Sequence, residues 1–299
     1  MNTAAPGKAR FGKISVLLEM IMFQHTVFAL PFALMGMLVA SGGRPGWRVL
    51  AWILAAMVGA RSSAMTFNRI VDARIDARNP RTARRAIPAG LVSAAEAWAF
   101  LCVTTALFVG AAWQINRLAL ALSPVALLVV WGYSLTKRFT KWAHAVLGLS
   151  LAIAPVGAWV AVTGRIGAPS LWLAAAVVCW VAGFDVIYSL QDIDFDKTQG
   201  LHSMPAKWGP ARALAMSSAL HVLSAVFLAA FGYSAGLGAF YYAGALGATA
   251  LLAYEHSLVK PDDFSRVNAA FFTVNGLMSI GLLIMTALAV YFPFQAVQR

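Results

Sequence analysis

Charge is what this sequence has least of. Only 11% of its 299 residues are Asp, Glu, Lys or Arg, less than half of the roughly 25% that a soluble domain carries. Acid is scarcer than base: eleven Asp and Glu face 23 Lys and Arg, a formal net charge of +12. Cysteine is nearly absent. Cys102 and Cys179 both sit inside apolar stretches, which excludes a disulfide framework and a Cys-based zinc site, since either needs pairs at suitable spacing. No Cys/His cluster offers zinc ligation elsewhere.

Apolar sequence is plentiful instead, at 61% of the chain. It falls into runs from Val16 to Ala40, Val49 to Phe67, Ala94 to Ala112, Leu118 to Leu135, Ala143 to Val162, Leu171 to Leu190, Leu214 to Phe231, Leu237 to Ala253 and Ala269 to Phe292. Each is close to the 17–25 residues, roughly, that a helix needs to cross a bilayer. The expected fold class is therefore all-α: a polytopic membrane protein with about nine transmembrane helices. The first run is too long for a signal peptide, and no small-residue cleavage site closes it.

The basic residues follow the topology of those spans. Sixteen Lys and Arg lie in the N-terminus and the loops after spans 2, 4, 6 and 8, against four in the odd-numbered loops and Arg299 at the C-terminus. This positive-inside bias places the N-terminus and even loops in the cytoplasm and the C-terminus outside. It accounts for the basic composition without nucleic acid.

The acids are concentrated. Asp72 and Asp76 end span 2, and Asp185, Asp192, Asp194 and Asp196 end span 6. Asn68, Asp72 and Asp76 recur at the spacing of Tyr188, Asp192 and Asp196, each pair 120 positions apart. The chain thus reads as a single domain, 1–299, made of two four-helix halves, about 14–136 and 141–256, with a ninth helix at 266–292. Membrane proteins often build a site where such repeats meet. Residues four apart share a helix face, so each set predicts a carboxylate stripe, the second running along span 6 from Asp185 through Tyr188 to Asp196. Facing stripes would repel unless cations lie between them. All-oxygen donors suit a hard divalent ion such as Mg²⁺. Arg84, Arg85, Lys137 and Arg138 lie beside them, and such cations match phosphate oxygens. The pattern describes a site for a diphosphate with a long lipid tail.

At these residues the sequence resembles the UbiA superfamily of intramembrane prenyltransferases. The likeness runs from "FQHTVFALPFALMG" through N-x-x-x-D-x-x-x-D with "NPRTARRAIPAG" to D-x-x-Y-x-x-x-D-x-x-x-D with "QGLHSMPAKWG". It implies a nine-helix bundle around a central cavity capped by cytoplasmic loops, and Mg²⁺-dependent transfer of a polyprenyl group from its diphosphate to an aromatic acceptor. By that resemblance Asn68, Asp72, Asp76, Asp192 and Asp196 hold Mg²⁺ and the diphosphate. His202 stands where many members carry Lys in G-x-K-S. Spans 1 and 2 look most like the branch serving the futalosine route to menaquinone, often labelled 4-hydroxybenzoate polyprenyltransferases. The Arg-x-(Asp/Asn)-(Lys/Arg)-Pro-x-Gly pattern usual in ubiquinone enzymes is absent. The setting is a bacterial inner membrane.

An allylic cation needs a dry site with π faces, for which Phe23, Phe28, Tyr133, Tyr188 and Trp180 are candidates. Asp185 or a phosphate oxygen would take the ring proton. Arg61, seven residues before Asn68 on the same helix face, would meet a carboxylate or the acceptor's acid group. His25 is either a packed histidine or an acceptor contact. Two rivals share some features. A CDP-alcohol phosphotransferase would need Gly after the aspartates, where Ala73 and Ile75 stand near them. A cation-coupled transporter would carry its acids at mid-membrane in broken helices.

Overall fold

The computed structural model describes residues 12–20 and 26–293. Those residues are almost entirely helical. Lipid offers backbone groups no hydrogen-bond partner, so an apolar chain satisfies them internally as helix. In chain order the helices are α1 (Lys13–Met20), α2 (Thr26–Ala40), α3 (Trp47–Asp76), α4 (Ala94–Ile115), α5 (Arg117–Thr136), α6 (Ala143–Thr163) and α7 (Ala168–Ser189). Short helices α8 (Ile193–Thr198) and α9 (Met204–Trp208) follow, then α10 (Pro210–Ser234), α11 (Ala239–Leu258) and α12 (Asn275–Tyr291). No strand forms among the described residues; one isolated bridge joins Lys260 and Asp263.

Seven of these elements are long and apolar enough to cross a membrane: α3, α4, α5, α6, α7 with its continuation to Thr198, α10, and α12 with the turn before it. Two expected spans fall outside that group. The run from Val16 to Ala40 appears as α1 and α2, with apolar helix over Phe28–Ala40; His25 and Phe23 lie outside the described residues. Helix α11 has the length, 20 residues, but Tyr241, Tyr242, Tyr254, Glu255 and His256 dilute its apolar content.

Helix α7 is the axis of the bundle, packed between α6 and α10, while α2 lies against α6 and α12. Glycines allow the closest crossings. A Cβ on Gly36 of α2 would lie 2.7 Å from the Pro155 carbonyl of α6, and one on Gly148 of α6 would lie 2.4 Å from the Val178 carbonyl of α7. These contacts draw α2, α6 and α7 into one apolar core of Phe28, Phe32, Trp180 and Phe184. Both cysteines are free.

Candidate active site

The first acidic set behaves as its spacing predicts. Asn68, Asp72 and Asp76 share α3, and the Asn68 amide donates to Asp72 Oδ2 at 3.1 Å. The second set departs from prediction. Helix α7 stops at Ser189, Leu190–Asp192 form a 3₁₀ turn, and α8 resumes at Ile193. Tyr188, Asp192 and Asp196 therefore sit on three successive pieces rather than one continuous stripe. The hydroxyl of Ser189 donates back to Val186 O at 2.8 Å and the Gln191 amide to Tyr188 O at 3.4 Å. Such local side-chain bonds compete with the regular helical ladder.

The segment after α3 brings the two sets together. Asn79 opens a turn: its side-chain oxygen accepts from the Arg81 N–H at 2.9 Å, and its carbonyl accepts from Thr82 N–H at 2.9 Å. Pro80 occupies the second turn position, which its fixed φ suits. This turn aims Arg81 at the far cluster. Its Nε donates to Asp192 Oδ1 at 3.1 Å, Nη2 to Asp192 Oδ2, and Nη1 to the Tyr188 hydroxyl at 3.1 Å. Burial works against the charge on Arg81, yet Asp192 and Tyr188 outweigh it and hold the guanidinium above its ordinary pKa. The Asn79 amide also reaches Asp192, at 3.4 Å, and Arg78 reaches Gln199.

Three of the carboxylates, Asp72, Asp76 and Asp192, are paired with Lys or Arg. Asp72, 1% exposed, takes Lys137 Nζ at 2.8 Å and Arg138 Nη2 at 3.1 Å. Asp76 takes both bonds from Arg85 Nη1, at 2.7 and 2.8 Å. Asp196 lies within reach of the Ser203 hydroxyl, Lys137 and His144. Asp194 is exposed. Thus Arg85, Lys137 and Arg138 stand where the sequence predicts. Arg84 does not: its side chain is exposed and makes no hydrogen bond or ion pair among the described residues. The turn brings Arg81 onto Asp192 and Tyr188 in its place.

Asp185 is held by a residue that periodicity does not reveal. His144, at the start of α6, meets Asp185 Oδ2 through Nδ1 at 2.7 Å. Its Nε2 accepts the Met204 N–H at 3.3 Å, so the proton belongs on Nδ1 and is donated to Asp185. The backbone N–H of His202 donates to Lys137 O at 2.7 Å, tying the loop before α9 to the end of α5. Its ring Nδ1 is buried without a hydrogen-bond partner among the described residues. Deeper in α3, Arg61 and Arg69 both lie within electrostatic reach of Tyr133, and Arg69 also donates to Asn68 Oδ1 at 3.4 Å.

Among the described residues no three Asp, Glu, His or Cys side chains converge as a ready metal cage. The donors nonetheless fit a hard divalent ion, being carboxylate and amide oxygens throughout. The negative charge that such an ion would meet is balanced here by Lys and Arg.

The chain matches the UbiA prenyltransferase family over residues 29–291. It is 32% identical over 255 residues to a 4-hydroxybenzoate octaprenyltransferase of Alkalilimnicola ehrlichii, covering 84% of this chain and 86% of that one. It is 33% identical over 216 residues to the mitochondrial 4-hydroxybenzoate polyprenyltransferase of Arabidopsis thaliana, covering 72% of this chain but 53% of that longer protein. Its fold superposes on a UbiA homolog from Aeropyrum pernix with TM-score 0.77 at 33% identity, over 89% of this chain and 97% of that one. A UbiA homolog from Archaeoglobus fulgidus solved with GPP and Mg²⁺ shares the fold at TM-score 0.71 and 18% identity, over 92% of this chain and 99% of that one.

Proposed function

Since this chain belongs to the UbiA prenyltransferase family, we propose that it transfers a polyprenyl group from its diphosphate to an aromatic quinone precursor, releasing diphosphate. The carrying observation is the two sets of carboxylates, three of which, Asp72, Asp76 and Asp192, are already paired with a guanidinium or ammonium that can equally hold phosphate. The relatives named for 4-hydroxybenzoate transfer support an aromatic acceptor. The acceptor is either 4-hydroxybenzoate or a naphthoate-type menaquinone precursor, the latter favoured by the signatures of spans 1 and 2. In this reading the bundle has nine spans in two pseudo-repeated halves. It sits in a bacterial inner membrane with the N-terminus and site loops cytoplasmic and the C-terminus outside.

Asn68, Asp72, Asp76, Asp192 and Asp196 would hold Mg²⁺, which when bound supplies positive charge to the diphosphate oxygens. Arg81, Arg85, Lys137 and Arg138 turn from their carboxylates to the diphosphate and steady the charge that builds on it as the allylic C–O bond breaks. The bonding pair leaves with the diphosphate. His202 presents its free ring nitrogen from the loop before α9, which is tied to Lys137. Tyr188, Phe28 and Trp180 lend π faces to the allylic carbon and exclude water. A ring carbon of the acceptor forms the new C–C bond, and its proton passes to Asp185, which His144 holds in place. Arg61 and Tyr133 lie at the acceptor side, with His25 as a further acceptor contact.

Incubating membranes with labelled prenyl diphosphate, Mg²⁺ and a panel of 4-hydroxybenzoate and dihydroxynaphthoates tests this reading. Label should move to one acceptor class; transfer to none of them would overturn it. Prenyl diphosphate with Mg²⁺ should also raise thermal stability, as ligands of the native state do, whereas a CDP-alcohol enzyme or a transporter should not respond.

The turn at Asn79 yields a separate expectation. Arg81→Ala should raise KM for prenyl diphosphate by roughly 10–100-fold, the equivalent of about 1.5–3 kcal/mol for a charged hydrogen bond. Arg84→Ala should stay within about twofold of the parent, as exposed substitutions usually do. Equal losses in both variants would refute the placement of Arg81.

A further inference from the structure

Glu255 in α11 and Asn275 at the start of α12 are both wholly buried, inside apolar helices where polar side chains are costly. They form one latch. The Asn275 amide donates to Glu255 Oε1 at 2.9 Å and to the carbonyls of Ala270 and Phe271 at 3.1 and 3.3 Å. Its Oδ1 accepts the indole N–H of Trp180 at 2.6 Å. The two carbonyls belong to a π-turn, Ala269–Val274, that leads into α12. A π-turn admits an extra residue per turn and is frequent at functional sites. Here its widened turn sets Phe271 and Phe272 side by side, with ring centroids 4.7 Å apart.

Those rings form a wall that reaches the charged site. Phe271 lies 4.2 Å from Tyr188, 5.1 Å from Phe184 and 5.4 Å from Phe28, centroid to centroid. Trp180, at the other end of the latch, closes on Phe184 at 5.0 Å and Phe32 at 4.9 Å. Tyr188 in turn accepts from Arg81, the partner of Asp192. One polar pair thus fixes both ends of an apolar surface whose near edge, Tyr188, meets Arg81, the partner of Asp192.

We infer that Glu255 and Asn275 are positioning residues that set the shape of this wall, and through it which prenyl diphosphates the enzyme accepts. The inference rests on the prenyl-transfer reading above. A chain leaving the diphosphate beside Asp192 must run along Tyr188, Phe271 and Phe272, so a shift of the π-turn changes the slot for its first isoprene units.

The test compares Asn275→Ala, Glu255→Leu, Glu255→Gln and Phe271→Leu with the parent on geranyl, farnesyl and geranylgeranyl diphosphates. Asn275→Ala and Glu255→Leu should change the ratio of kcat/KM between short and long donors by roughly tenfold or more, the scale on which an apolar pocket discriminates. KM for the acceptor should stay unchanged. Glu255→Gln keeps an oxygen for Asn275 and should retain the parental ratio. Phe271→Leu leaves the latch intact and should shift the same ratio, so the test survives a latch variant that fails to fold. An unchanged ratio in folded variants, or equal losses on every donor, would overturn the inference. A photoreactive farnesyl diphosphate should label the 269–274 segment of the parent, and labelling elsewhere would also overturn it. That arm needs no turnover, so it decides even if no acceptor is prenylated and the functional reading itself fails.

Discussion

Asp72→Ala should abolish prenyl transfer, with a loss on the order of 10³-fold or more, about 4 kcal/mol of transition-state stabilisation. Asp72 is the most enclosed carboxylate of the site, at 1% exposed, and it receives Asn68, Lys137 and Arg138 at once. On the proposed function, removing it deletes an anionic donor for the divalent ion, and it releases two cations from their set positions. The fold should survive. Lys137 and Arg138 are 35% and 39% exposed at their side chains, so water can take over their solvation when the partner is gone. Asp72→Asn keeps the shape and loses the charge, and it should be as inactive as Ala. Asp192→Ala should do the same from the opposite wall, freeing Arg81. Transfer assays on variants whose thermal unfolding matches the parent decide the matter. Turnover near the parental level in either alanine variant would remove the carboxylates from the mechanism.

Gly148→Val is the second large effect, and it acts on the fold. The missing Cβ of Gly148 would stand 2.4 Å from Val178 O, 3.0 Å from its Cα and 3.1 Å from its carbonyl carbon. All three are backbone atoms of α7, so no side chain can swing aside. Helices α6 and α7 would have to separate, opening the core beneath Trp180 and displacing His144 from Asp185, which the same two helices present to each other. Overpacking of this kind costs about 3 kcal/mol, at the upper end of the usual range. Detergent-solubilised Gly148→Val should unfold at clearly lower temperature and lose activity with it. Gly132→Ala is the control: nothing lies within 4 Å of its added methyl in the interior of α5, so stability should hold or rise by about 0.5 kcal/mol. Equal melting temperatures for parent and Gly148→Val would contradict the close crossing.

Much of the site was legible because helical spacing is a strong rule. Asn68 and Asp72 four residues apart do meet, and Arg85, Lys137 and Arg138 do stand beside the acids. The parts that escaped depend on local turns. Nothing in periodicity says that Arg81 bonds Asp192 and Tyr188 while Arg84 bonds neither. That choice belongs to Asn79 and Pro80, and an Asn-Pro pair is a turn signal that could have suggested it. The break of α7 before Asp192 has no Gly or Pro to announce it, only Ser189 and Gln191 bonding to their own backbone. His144 was invisible for another reason: its partner Asp185 is 41 residues away, and only the crossing of α6 and α7 joins them. The π-turn before Asn275 is likewise a tertiary product, stabilised by Glu255 from a different helix.

The segment from Asn79 to Arg81 also divides the protein into regions that respond differently to the medium. Near the ends of α3 and α7, this connection between the two acidic sets consists of ion pairs and hydrogen bonds, with Arg81 at 37% and Asp192 at 20% side-chain exposure. Deeper down, α2, α6 and α7 also meet through glycine contacts and aromatic rings, which carry no charge. Added salt screens the first kind of contact and leaves the second untouched. Rising ionic strength therefore loosens the fastening at the polar end of the bundle alone, and the two acidic segments part there as a clasp opens while its hinge stays closed.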